Sequence, residues 1–235
     1  MEKNQYKLCL EVLRRLEADG VLSDVVLIGS WCMVFYKKYF SEHDYTPSIR
    51  TRDIDFFVPK PRSIRSKIDL PESMKDLGFI KGFRGREGYM ILEHPELSIE
   101  FLVAEKGKGT DKPVLLPQIG MNAQALRFME LLAEDTIRVN ADDISITMPH
   151  PANFALHKLI ISHRRRDKEK SARDRESAVT VLNGLIRKKE EAIVIRIFDS
   201  VPKKWRQTIL SELKTANEEK IIEILEAGDG PSGKS

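Results

Sequence analysis

The sequence has only two cysteines, Cys9 and Cys32, and their spacing matches no paired metal or redox motif. That leaves no disulfide framework, and a reduced, cytoplasmic chain is the simplest reading. No apolar run reaches about 18 residues, so no helical membrane span is expected. The N-terminal stretch MEKNQYKLCLEVLRRLEADG carries charges throughout and reads as an amphipathic helix, not as a secretion signal. A strong excess of one charge is also missing. The formal net charge of +3 neither demands nor excludes a nucleic-acid partner, so the local distribution has to decide. No internal repeat is present. What remains is a globular chain of 235 residues, 41% apolar and 32% charged, long enough for one or two domains with a real core.

Periodicity places the elements. Residues 3–18 bring Tyr6, Leu10, Leu13 and Leu16 to one helix face, and Gly20 ends the helix. The run at 24–28 is short, β-branched and apolar, as a buried strand requires. A largely buried helix follows over 31–40, then a polar connection over 41–52, then a second apolar strand over 54–58 closed by Pro59. Pro71 opens a helical piece that Gly78 stops. Segments 79–83, 89–93 and 97–103 read as an antiparallel meander with a turn at 84–88. Residues 104–113 read as an exposed loop, 122–134 as a helix, and 136–139 with 144–148 as two short strands. Beyond Pro149-His150-Pro151 the pattern is helical and dense in charge. The fold class expected is α+β, a mixed sheet flanked by helices and followed by a helical domain. The domains expected are 1–149 and 150–226, with a disordered tail over 227–235.

Two features carry chemistry. The first is Asp53-Ile54-Asp55. Alternate residues of a strand share a face, so Asp53 and Asp55 stand side by side while Ile54 turns to the apolar side. Two carboxylates this close repel unless a cation lies between them, and hard oxygen ligands suit magnesium. The plain alternative is a strand start whose acids face water. Glu100 stands alone in the apolar segment 97–103, a poor place for an unpartnered charge. It completes a cluster of three acids if its strand pairs beside 54–58, and it is otherwise an edge-strand glutamate.

The second feature is Gly29-Ser30, where a strand passes directly into a helix. Glycine lets the backbone turn closely past a ligand. The serine hydroxyl and the free N–H groups of the first helical turn attract an anion. Ser30 also suits a simple N-cap.

Gly29-Ser30, Asp53-Ile54-Asp55 and Glu100, in this order, resemble the nucleotidyltransferase superfamily that includes DNA polymerase β. The phrases Arg50-Thr51-Arg52-Asp53-Ile54-Asp55, Ile99-Glu100-Phe101-Leu102 and Phe154-Ala155-Leu156-His157-Lys158-Leu159, with 170–174 behind them, look like the AbiEii-type bacterial nucleotidyltransferases. The resemblance spans roughly residues 20 to 185. It implies transfer of a nucleoside monophosphate to a hydroxyl acceptor with release of pyrophosphate. Asp53, Asp55 and Glu100 would be the catalytic residues and would hold two magnesium ions, or manganese in their place. Gly29, Ser30, Thr51, Arg52, Lys158 and Lys170 would contact a nucleoside triphosphate such as ATP. Glu100 would also help deprotonate the acceptor, which can be RNA, tRNA, a protein or a small molecule. Two departures stand out. Residues 41–50 read as an insertion able to shape the acceptor site, and the third acid is Glu where Asp is commoner. Two readings compete with catalysis: a nucleotide- or RNA-binding module without turnover, and a toxin paired with an antitoxin protein.

The helical half adds cations. Lys158 lies among apolar neighbours, and either its head is forced to one exit, which the resemblance places near the triphosphate, or it snorkels to the surface. The run 164–176 is a solvated, salt-laced face or a basic wall for a polyanion. Asp174, four residues after Lys170, orients a basic group or forms a surface pair. Arg84 and Arg86 at the hairpin turn either meet a polyanion or are ordinary turn charges. His157 and His163 are six apart, which does not suit one helix face, and no further ligand joins them with His150, which argues against zinc. The terminal letters 228–235 imitate a P-loop, but no helix follows the lysine to donate N–H groups, so the match is accidental.

Overall fold

The computed structural model describes residues 3–40, 45, 51–107, 109 and 112–227. The expected insertion at 41–50, Tyr45 apart, lies outside the described residues, as does the tail beyond Ala227 with its P-loop-like letters. The described chain divides into two compact units. One runs to Lys38 and resumes through Pro149; the other holds everything from His150 onward together with Tyr39, Phe40 and Tyr45.

The first unit opens with helix α1 (Lys3–Ala18), strand β1 (Val26–Ile28) and helix α2 (Trp31–Tyr39), then strand β2 (Asp53–Phe57). A short helix α3 (Leu70–Ser73) follows, with Asp69 capping its N-terminus and Gly78 in the left-handed region after the next turn. Strands β3 (Ile80–Arg84), β4 (Tyr89–Glu93) and β5 (Ser98–Ala104) come next. The sheet runs in the order β1-β2-β5-β4-β3. The meander is antiparallel, as the sequence suggests. Its third strand also pairs parallel to β2, which sets Asp53 opposite Ser98 and Asp55 opposite Glu100.

Residues 122–134 correct the expected helix there. Met121–Leu126 forms strand β7, and only Leu131–Glu134 is helical (α4). Helix propensity is a weak preference, and partners on both sides outweigh it. Strand β6 (Val114–Leu116) pairs antiparallel to β7, and the second half of β5 pairs parallel to it, Leu102 opposite Gln124. A two-stranded sheet, β8 (Thr136–Ala141) with β9 (Ile144–Pro149), closes the unit.

Strand alternation divides the main sheet into two unlike faces. One buries Ile54, Phe56, Ile99 and Phe101, and the two phenylalanine rings stack 5.7 Å apart. The other is split along its length. At one end Val26, Ile28, Phe57 and Leu102 pack with Met129 and Leu132. At the other end the same face carries Asp53, Asp55, Ser98 and Glu100.

The second unit is helical: α5 (Pro151–Ser162), α6 (Lys168–Arg187), α7 (Glu191–Ser200), α8 (Lys203–Thr215) and α9 (Glu219–Ala227). Helix α5 is buried over almost its whole length and packs against α6, α7 and α8. Ala227, expected to begin the tail, closes the last helix. A helix apolar on every side has to be covered on every side. No helix among the described residues is long and apolar enough to cross a membrane.

Candidate active site

The site starts from the turn between β1 and α2. Gly29 has a φ of 70°, a left-handed conformation that favours glycine. A Cβ there would collide with the Asp55 carboxylate. β1 lies antiparallel to β2 with Ile28 opposite Asp55, so the end of β1 delivers Gly29 to that carboxylate. The Gly29 and Ser30 carbonyls accept from the Cys32 and Met33 amides and start the helix. Ser30 itself is half-buried.

Asp53, Asp55 and Glu100 are brought to one face, all three partly exposed. The carboxylates do not converge on one point, and no group of three ligands poised for a metal occurs among the described residues. A cation that sequence reasoning did not put here lies among them. Arg84, on β3, bonds Glu100 and lies 3.4 Å from Asp53 Oδ1. Burial works against its charge, yet Glu100 and Asp53 outweigh it and hold the guanidinium above its ordinary pKa. Arg84 was expected to face a polyanion from the turn or to be an ordinary turn charge, and it faces the acids. Ser98, also missed, donates its hydroxyl to Asp53 Oδ1 at 2.6 Å. Its position two residues before Glu100, on the same face of the strand, was the available signal.

Thr51 and Arg52 stand at the entry of β2. The Asp53 amide donates to the Thr51 hydroxyl at 3.3 Å, and the Arg52 carbonyl accepts from Ser98 N–H at 2.8 Å. Both residues line a cavity of about 1300 Å³ together with Asp53, Arg84, Ser98 and Ile80. All of these belong to the first unit.

The lysines lie in the helical unit and differ from each other. Lys158 is 7% exposed and ends on Asp174, Nζ to Oδ1 2.5 Å, so neither a free head nor a snorkelling one describes it. Asp174 is buried too and takes a second bond from Arg165 at 2.9 Å, so it orients basic groups and is no surface pair. Lys170 is exposed, and its amide donates to the capping Asp167. The charged run therefore divides. Arg165, Asp174 and Arg175 turn inward, whereas Arg173 pairs with Glu169 on the outer face. His157 is buried and held neutral, its pKa lowered to about 3 by burial and then by Lys158.

The family model described as Nucleotidyltransferase matches residues 7–194. The chain belongs to that nucleotidyltransferase family. No curated protein matches it in sequence. Among solved structures, it is similar to an antigenic nucleotidyltransferase-like protein from Paracoccidioides brasiliensis at 12% identity and a TM-score of 0.51. That likeness covers 95% of this chain and 92% of the other, and it shows the fold. Two structures of the antibiotic-resistance factor ANT(2'')-Ia are also similar at 12% identity and cover 83% of this chain. One is a solution structure, with 91% of its chain covered and a TM-score of 0.48. The other is a complex with adenylyl-2''-tobramycin, with 97% covered and a TM-score of 0.49. The α+β nucleotidyltransferase fold and the enzyme class thus stand, and a nucleotide substrate and an acceptor follow from them.

Proposed function

We propose that this nucleotidyltransferase moves a nucleoside monophosphate from a nucleoside triphosphate to a hydroxyl acceptor, with pyrophosphate leaving. One observation carries the reading: the register that sets Asp55 beside both Ile28 and Glu100, so that three acids share one face of the sheet and Asp55 meets the Gly29-Ser30 turn. The donor set is all carboxylate oxygen and already attracts one cation, Arg84, which fits magnesium in chemistry. Asp53, Asp55 and Glu100 would hold it once their side chains turn together. When bound, magnesium supplies a Lewis acid against the charge of the reacting phosphate.

The residues of the chain do the rest. The Gly29-Ser30 turn and the start of α2 receive the triphosphate. The acceptor enters the cavity bordered by Asp53, Arg84 and Ile80. Its hydroxyl oxygen bonds to the α-phosphorus, the bond to the bridging oxygen of the β-phosphate breaks, and the Glu100 carboxylate takes the hydroxyl proton. Lys170 is an exposed cation suited to phosphate. Lys158 acts within the helical unit by neutralising Asp174. Residues 1–149 form the catalytic domain and 150–227 the helical one, in a chain working in the cytoplasm. Kinship with the AbiEii-type group belongs to the same proposal, on the phrases that supply Lys158 and Asp174. An antitoxin partner would follow from that kinship, and co-purification with the product of a neighbouring reading frame checks it.

The test is incubation with each of four labelled triphosphates, magnesium, and RNA or protein. Mass spectrometry should find the added nucleotide, and pyrophosphate should be released. Asp53→Ala should abolish both at unchanged circular dichroism. Absence of turnover with every triphosphate would overturn the proposal.

A further inference from the structure

Arg84 reaches the acids from the far edge of the sheet. β3 is separated from β5 by β4, and from β2 by both. On the shared face the register runs from Gly82 to Ile91 to Glu100. Arg84 lies two residues after Gly82, on the same side. Its stem therefore crosses a row that has no side chain at position 82. That lane is already narrow, because a Cβ at Gly82 would lie 2.6 Å from Glu93 Oε2. The guanidinium ends among Glu100, Asp53 and Ser98 Oγ. The hairpin is anchored beside it. Asn122 accepts from the Met90 amide at 2.7 Å and donates to the Gly88 carbonyl at 3.1 Å. The arginine side chain remains 48% exposed, so it can swing to solvent without moving the strands.

We propose that Arg84 is a resident counter-ion of the acid cluster, which a divalent cation must displace before the site can work. It rests on the reading that Asp53 and Glu100 hold a divalent cation. One guanidinium shared between Glu100 and Asp53 offsets one unit of their negative charge when no metal is bound. It competes with metal for the same oxygens, so Arg84 sets the metal affinity of the site. Glu93, opposite Ser98 on the same face, is a fourth acid whose charge acts on the Arg84 guanidinium.

The test measures manganese binding to the full chain without nucleotide, by the loss of the free ion's paramagnetic resonance signal. Arg84→Gln removes the charge and Arg84→Lys keeps it. Arg84→Gln should bind manganese roughly fivefold to tenfold more tightly than the wild type, with Arg84→Lys close to wild type. The metal-free Arg84→Gln chain should melt lower, and manganese should raise its melting temperature by more than it raises that of the wild type. Equal affinity in Arg84→Gln and wild type, or weaker binding in Arg84→Gln, overturns the proposal. Asp53→Ala separates the two ideas. If it abolishes binding while Arg84→Gln changes nothing, only the counter-ion role fails. If Asp53→Ala leaves manganese binding unchanged, the metal reading fails with it.

Discussion

Asp53 and Asp174 are both aspartates with basic partners, and they are built in opposite ways. The Asp53 side chain is 48% exposed, and its cation, Arg84, stands 3.4 Å away on another strand. The Asp174 side chain is 8% exposed and is clasped by Lys158 at 2.5 Å and Arg165 at 2.9 Å. Glu212 repeats the closed plan. Burial would raise its pKa, and hydrogen bonds from Ser162, His163 and Arg175 outweigh that and hold it low. A closed pair cannot give up a partner without stranding a charge in low dielectric. An open acid can exchange its cation at little cost. The helical unit thus encloses its paired charges, and the sheet unit leaves Asp53 and its cation half-exposed.

Three experiments probe that contrast. The chain has two tryptophans: Trp31 lies in the sheet unit and Trp205 in the helical unit. Single-tryptophan variants therefore report the two units separately. The largest effect is expected for Asp174→Ala, which strands the buried Lys158 charge and should cost about 3–5 kcal/mol in urea unfolding followed through Trp205. A change near zero would show that this cluster is not closed in solution.

Next comes pH. The folded pKa of His157 is lowered to about 3, below that of an unfolded histidine, so only the unfolded chain gains this proton as pH falls from about 6.5. The histidine contributes no penalty above that pH, and stability is lost progressively from there down to pH 3. The loss by pH 5 should be roughly 2 kcal/mol. Its Nε2 has no hydrogen-bond partner among the described residues, so His157→Phe should flatten this part of the profile. An unchanged slope would contradict a buried neutral imidazole.

The smallest stability effect, and the sharpest test of the open site, is Gly29→Ala. A left-handed non-glycine residue costs about 1–2 kcal/mol, read through Trp31. The methyl group also displaces Asp55, so nucleotide transfer should fall further than that loss of stability explains. If activity follows stability alone, Asp55 does not need its close seat against Gly29.

The alternation of Asp53, Ile54 and Asp55 was enough to place both acids on one face, because side chains in a strand have a fixed period of two. The strand, Gly-Ser turn and helix around residue 29 were equally legible, since local backbone preferences govern them. Hydrophobic period likewise marked the helices beyond Pro149. Segment 122–134 misled because its residues favour a helix, while the pairing that makes part of it a strand comes from segments remote in sequence. The same limit applied to charge. Whether Glu100 joined the acids or faced water depended on which strand lay beside β2. Whether Lys158 was free or clasped depended on Asp174 arriving from the next helix. Nothing local to the turn indicated that Arg84 would cross the sheet to the acids. Periodicity along the chain thus determined which face each residue occupies, and only the tertiary structure decided which faces meet, because contacts between distant segments are chosen by the packing of the whole unit.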